Sequence, residues 1–245
     1  VIAFQRETSV LDQFAPTGVM RVALNHGNRV LVARDPEGHP KGISVDLAQA
    51  LADWLKLDLA FVEYERAADV SATAEKDEWD VCFLAVDPDR ARTIRFTEPY
   101  VRIEGCYLAG AHCQAADADE LVLSGARVGT VQGSAYTLTL QRRAGSENLV
   151  CFEDIFAALA ALDKKDVQAI AGIRQAMQGE ADLRPGSRVL QPPFMEIRQA
   201  MAMPQGRPAA SAALAEFLAG AARDGMVGSI LEAHGVDPAC AILPD

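Results

Sequence analysis

The chain has 245 residues and a formal net charge of −11 at neutral pH; half of its residues are hydrophobic and 23% are charged. That balance is ordinary for a globular protein, and the length is enough for a large core in one or two domains. The acidic excess argues against nucleic acid or an anionic membrane as the main partner, and no apolar run approaches the roughly 18 residues of a membrane span.

Residues 1 to 18 read as a lead with a short helix around Val10 to Phe14, closed by Pro16 and Gly18. RVAL (Arg21 to Leu24) reads as a strand, and DPEGHPKG (Asp35 to Gly42) as a hairpin turn. Leu47, Ala48, Leu51, Ala52 and Leu55 recur at helical spacing, which predicts an amphipathic helix from Ser44 to Leu55. Leu57 to Tyr64 reads as a second strand, Ala67 to Lys76 as a helix, and the apolar run Val81 to Val86 as a third, buried strand. Further on, strands are expected at Gly105 to Gly110, in ARVGTV, in NLVCF, at Val167 to Gly172 and in RVLQPPF, which runs into a loop before RQAMAM (Arg198 to Met203) returns the chain to its first part. Between and after them, helices are expected at Asp117 to Leu123, Ser134 to Arg143, Asp154 to Asp163, Gln175 to Gly179, Ala209 to Arg223 and Met226 to His234. Strands alternating with helices imply an α/β fold with a mainly parallel sheet.

The most informative stretch is DPDRARTIRFTEPY, Asp87 to Tyr100. Asp87 is suited to cap a turn whose first position is Pro88, which holds Arg90 just beyond the carboxyl end of the third strand. Ligands bind at that end in open α/β sheets, and a guanidinium fixed there suits two-pronged capture of a carboxylate. The plain alternative is a surface arginine beside Arg92 and Arg95.

This run resembles the signature after the third strand of periplasmic solute-binding proteins for polar amino acids, the family 3 type with the type II, two-lobed Venus-flytrap fold. Pro88, Asp89, Arg90 and Ala91 stand where that family has a T-P-E-R-A-type turn, and Phe96, Thr97, Pro99 and Tyr100 match its F-[ST]-x-P-Y. Three further blocks follow the family order: MRVALN (Met20 to Asn25), GISVDLAQALADWL (Gly42 to Leu55) and RVGTVQGSAY (Arg127 to Tyr136). The resemblance runs from about residue 18 to about 235. It implies a discontinuous first lobe of residues 1–106 plus 200–245, an inserted second lobe of 107–199, two hinge crossings, and a ligand cleft between the lobes.

The same resemblance implies a site. Arg90 of the first lobe is expected to share a ligand carboxylate with Gly133, Ser134 and Ala135, where a glycine lets the backbone approach and a helix N-terminus offers amides. The plain reading of Ser134 is an N-cap. Two features depart from the family pattern. No acid stands near Gly172 and Ile173, where the family places the partner of the ligand ammonium, and Arg174 follows instead. Either Arg174 faces solvent and Glu104 supplies the negative charge, or Arg174 lines the cleft and the ligand carries a second anionic group. The aromatic turn after the first strand is replaced by NHGNRVL, in which Asn25 and Asn28 can hydrogen-bond a polar ligand. Tyr136, Phe194, Met195 and Gln199 are lesser candidates for the second-lobe wall.

The resemblance implies a binding protein that closes on a small carboxylate-bearing solute and hands it to an ABC importer permease. A monomer without cofactor or metal is expected, with no nucleic-acid partner. Two alternatives stay open: a cyclohexadienyl or arogenate dehydratase-like enzyme with Glu104 as general acid, and a ligand-sensing module. The opening residues VIAFQRETSV carry no basic segment, apolar core or cleavage site of an export signal. Five cysteines, an odd number, mildly favour a reducing compartment. Cys82 reads as a packed thiol, and pairing of Cys106 with Cys113 stays open. The resemblance favours the periplasm.

Overall fold

A computed structural model describes residues 8–244. The lead before residue 8 lies outside the described residues. In chain order the elements begin with α1 (Thr8–Phe14), β1 (Met20–Asn25), β2 (Ala33–Arg34), β3 (Pro40–Lys41), α2 (Ile43–Leu55), β4 (Leu59–Tyr64), α3 (Ala67–Ala72), β5 (Val81–Ala85) and β6 (Ile94–Phe96). Next come β7 (Val101–Ala109), α4 (Ala118–Leu123), β8 (Val128–Val131), α5 (Ala135–Gln141), β9 (Leu149–Phe152), α6 (Ile155–Asp163), β10 (Ala169–Ile173), α7 (Arg174–Asp182) and β11 (Arg188–Val189). The chain closes with β12 (Met195–Pro204), α8 (Pro208–Arg223) and α9 (Met226–Ala233).

The chain divides into two compact units. Unit 1 holds the described residues up to Arg102 and those from Arg198, and unit 2 runs from Ile103 to Ile197. Unit 2 is inserted into unit 1, so the backbone passes between them twice, within β7 and within β12.

In unit 1 the strand order is β4-β1-β5-β12. The first three strands are parallel, while β12 runs antiparallel to β5 and also pairs with β6. Strand alternation divides the core between two faces. Val22, Leu24, Val81, Phe83, Met201 and Met203 point to one side, where they pack with Leu47 and Leu51 of α2 and Leu214 and Phe217 of α8. The residues between them, Ala23, Cys82, Leu84 and Ala202, face the other side and pack with Val70, Trp79 and Ile94. α3 ends sooner than its sequence suggests. The Thr73 hydroxyl turns back onto the carbonyls of Asp69 and Val70 at 3.0 Å each and accepts the Trp79 indole N–H at 2.9 Å, which fixes the chain in a turn.

Asp80 clamps this unit from one end. Its fully buried carboxylate receives Arg21 Nε at 2.9 Å and Arg207 Nη1 at 2.7 Å, and Arg207 also donates to the Gln13 carbonyl at 3.0 Å. One acid thus joins β1, the start of α8 and α1.

In unit 2 the order is β7-β10-β8-β9, with β11 also on β7. β10, β8 and β9 are parallel and β7 is antiparallel to β10. Leu159 and Leu162 of α6 pack on Leu108, Ile170, Val167 and Met177. RVLQPPF forms only the two-residue strand β11, because Pro192 and Pro193 end the ladder after Gln191. Cys82, Cys106, Cys113 and Cys151 form no disulfide, so the Cys106–Cys113 pairing left open by sequence does not occur. Burial pushes the Cys106 thiol up to about 11, with the Glu104 charge adding to the effect. Among the described residues no helix is long and apolar enough to cross a membrane.

Candidate functional site

In unit 1 the candidate residues lie at the carboxyl end of β5. Asp87 Oδ1 accepts the amides of Asp89 at 2.9 Å and Arg90 at 3.5 Å, and the Asp87 carbonyl accepts the Ala91 amide at 2.9 Å. These bonds wind the chain into the short 3₁₀ turn Arg90–Arg92. Arg92 and Arg95 stay exposed, whereas Arg90 folds inward and is 5% exposed. Among the described residues it is the one buried lysine or arginine. Its Nη1 donates to the Ala85 carbonyl at 3.1 Å. Burial holds its pKa below the usual arginine range, and the Asp87 charge partly offsets this.

Gln199, buried on β12, lies opposite Ala85 in the antiparallel register. Arg90 and Gln199 therefore converge on the last residue of β5. The rest of the signature is scaffold. Phe96 pairs opposite Ala202, Thr97 Oγ1 accepts the Met201 amide at 3.2 Å, and Tyr100 lies in the core edge-on to Phe83.

The two asparagines serve the turn after β1. Asn25 Oδ1 accepts the Gly27 amide at 3.0 Å. Asn28 is buried, and its Oδ1 lies 3.2 Å from the Val30 amide and 3.3 Å from the Leu31 amide. Both carbonyl oxygens are thus engaged by backbone. The neighbouring His26 is paired with Glu63 at 2.8 Å.

In unit 2 the candidate residues lie at the carboxyl ends of β8 and β10. Gly133 takes φ +73°, the left-handed region a side chain disfavours, and Ser134 caps α5. The Ser134 amide reaches the Val131 carbonyl at 3.2 Å. Its hydroxyl lies 2.8 Å from that carbonyl, 2.7 Å from Thr137 Oγ1 and 3.3 Å from the Thr137 amide. From sequence the Ser134 amide is expected on a ligand. The structure engages both it and the hydroxyl within the turn, because the strand end leaves the Val131 carbonyl in need of donors. The amides of Ala135 and Tyr136 remain as first-turn groups with no acceptor inside the helix.

Thr137, which the sequence reading passes over, anchors this turn. Its hydroxyl is fully buried and meets the Val131 carbonyl at 2.6 Å and Thr130 Oγ1 at 2.5 Å. The available signal was spacing: Ser134 at the cap and a hydroxyl residue three positions on. The Tyr136 side chain is buried, which pushes its phenol up to about 12, while a hydrogen bond to Ser134 acts the other way.

Glu104 and Arg174 form an ion pair, Arg174 Nε to Glu104 Oε2 at 2.6 Å, with side chains 45% and 43% exposed respectively. The sequence left open whether Glu104 serves a ligand with Arg174 in solvent or Arg174 itself meets a ligand anion; the register of β7 on β10, with Gly105 opposite Ile173, brings the two face to face. A pair this open to solvent contributes about 0–1 kcal/mol. The backbone around it is tightly packed. A Cβ on Gly105 would lie 2.8 Å from Met195 Cγ and 3.0 Å from the Phe194 ring. One on Gly172 would lie 2.8 Å from Met177 Sδ. Phe194 in turn packs on Tyr107, ring centroids 4.6 Å apart.

The chain resembles several solved structures. A solute receptor for L-cysteine of Neisseria gonorrhoeae matches with TM-score 0.80 and 18% identity, covering 97% of this chain and 100% of that one. A mutant of ArgBP from T. maritima matches with TM-score 0.77 and 16% identity over 92% and 99% of the respective chains. An ancestral amino acid-binding protein, AncCDT-1, described as a precursor of cyclohexadienyl dehydratase, matches with TM-score 0.76 and 18% identity over 92% and 99%. At these identities the likeness establishes the fold, that of two-lobed type II periplasmic binding proteins. No curated protein matches in sequence. The family model for bacterial extracellular solute-binding proteins, family 3, matches residues 20–236, and the chain belongs to that family.

Proposed function

We propose that this protein captures a small carboxylate-bearing solute, a polar amino acid or related organic acid, in the periplasm and delivers it to an ABC importer as a monomer. The observation that carries the reading is Arg90. A buried guanidinium at the carboxyl end of a parallel strand, tied by Nη1 to the strand's last carbonyl, is costly to place and suited to an anion. In this reading the ligand carboxylate meets the Arg90 guanidinium, and the bound state is favoured by as much as the ligand prefers it over the free one. The amino-acid receptors named above support an amino acid as ligand class.

The test is native mass spectrometry of the purified protein for a co-purified solute, followed by calorimetry of that solute on wild type and Arg90→Ala. A loss of 2–5 kcal/mol, about 30-fold or more, is expected. Unchanged affinity would remove Arg90 from the site and the reading with it.

A dehydratase reading draws on the likeness to AncCDT-1. It needs a general acid sealed from water, and the candidate Glu104 is 45% exposed and engaged with Arg174. Turnover of prephenate or arogenate, followed by ultraviolet absorbance, would reverse the preference.

A further inference from the structure

We propose, resting on the solute-binding reading, that the Glu104–Arg174 pair selects ligand charge. Glu104 takes the ammonium of an α-amino acid and Arg174 takes an anionic group on its side chain, so acidic amino acids are the preferred ligands.

Position is the first support. β10 and β8 are parallel, with Ala169 level with Val128 and Ile170 level with Gly129. Their carboxyl ends, Ile173 and Val131, therefore lie on one edge of unit 2. Arg174 and the Gly133–Ala135 turn leave from that edge, and Glu104 reaches it from β7. This is the edge where open α/β sheets take ligands.

The second support is a broken local rule. Arg174 is the first residue of α7, and Ile173 before it makes no side-chain cap. The positive end of a helix disfavours a cation and favours an acid or a capping hydroxyl. Sequences depart from such rules mostly where function requires it.

The third support is the geometry of the pair. The Nε–H does not point along the 2.6 Å contact, so Glu104 holds the guanidinium as an ion contact rather than a linear hydrogen bond. Nε is buried although 43% of the side chain is exposed, so the exposure lies on the rest of the group. Arg174 thus has capacity for a second acceptor. Glu104, 45% exposed, likewise has capacity for a second donor. Phe194, Met195 and Met177, packed on Gly105 and Gly172, hold the backbone beneath both. One residue along α7, Gln175 Oε1 is buried with no hydrogen-bond donor among the described residues, a further acceptor on the same edge.

Calorimetry of the full chain tests the proposal, using wild type, Glu104→Gln and Arg174→Gln. The probes are L-glutamate, L-aspartate, their amides L-glutamine and L-asparagine, L-arginine, and glutarate, which lacks the amine. Wild type is expected to bind an acidic amino acid about 10-fold or more tighter than its amide. Arg174→Gln should erase that gap. Glu104→Gln should weaken the acidic amino acid about 10-fold while leaving glutarate within about 3-fold. Both side chains are half exposed, so thermal unfolding of the variants should stay near wild type and separate binding from folding. Tightest binding of a neutral or cationic amino acid, or a gap that survives Arg174→Gln, overturns this proposal alone. Binding of none of the probes also overturns this proposal, while the solute-binding reading falls only if native mass spectrometry finds no co-purified solute.

Discussion

Arg90 donates from Nη1 to the carbonyl of Ala85 at 3.1 Å, so the last residue of β5 holds the arginine that the next turn presents. The link makes the group rigid as well as buried. A lysine keeps the charge but has neither the planar fork nor the reach to bond Ala85 and a carboxylate together. Arg90→Lys should therefore lower ligand affinity about 10-fold or more by calorimetry. Its unfolding midpoint should fall less than that of Arg90→Ala, which removes the positive charge near Asp87 and the bond to Ala85 together.

Thr137 satisfies the end of β8. Valine in its place keeps the shape but withdraws a hydroxyl from the Val131 carbonyl, Thr130 and Ser134. Thr137→Val should cost about 1–3 kcal/mol in urea unfolding and weaken ligand binding as the Ser134 turn loosens. Thr137→Ser should restore most of both. Wild-type affinity in the valine variant would show that the turn holds its shape without this bond.

Asp80 carries two arginines on one buried carboxylate. Asp80→Ala leaves two partly buried cations with only the exposed Asp77 as an acid beside them. A loss of about 3–5 kcal/mol is expected from denaturant unfolding. A loss below 1 kcal/mol would mean that Asp77, which also pairs with Arg21 at 2.8 Å, takes over.

Gly42 and Gly38 both take positive φ, +123° and +88°. A Cβ on Gly42 would lie 2.7 Å from the Leu31 carbonyl, while one on Gly38 meets nothing within 4 Å. Gly42→Ala combines strain with a backbone clash and should destabilise by roughly 3 kcal/mol or more. Gly38→Ala carries strain alone, about 1–2 kcal/mol. Equal losses in parallel unfolding curves would contradict the close approach of Leu31.

All four tyrosines are pushed above the ordinary phenol value. Burial raises Tyr107 and Tyr136 to about 12, and Tyr64 and Tyr100 move upward for the same first reason. A raised pKa means that the folded state keeps protons the unfolded chain releases near pH 10. Stability from these groups is complete below about pH 10 and declines as pH climbs towards 12. Phenolate absorbance should therefore rise together with loss of far-ultraviolet circular dichroism. A tyrosine ionising near pH 10 in a still-folded protein would contradict this.

Much of the scaffold was legible because its signals are local. Leu47, Leu51 and Leu55 lie one turn apart in α2, and Asp87 stands directly before Pro88 and the turn that carries Arg90. β6 escaped notice because three residues, Ile94 to Phe96, carry too little pattern; only pairing with β12 makes them a strand.

What sequence determined here is what neighbours along the chain decide: helix faces, caps, and the turn that follows a buried strand. It offered Asn25 and Asn28 to a ligand, and the structure gives both oxygens to backbone amides. Tertiary structure decided which distant charges meet. Glu104 and Arg174 are joined by the antiparallel register of β7 and β10, and Arg21, Asp80 and Arg207 by the packing of β1 with α8. A charge pair has no periodicity to read, since its energy depends on separation in space, and strand register sets that separation.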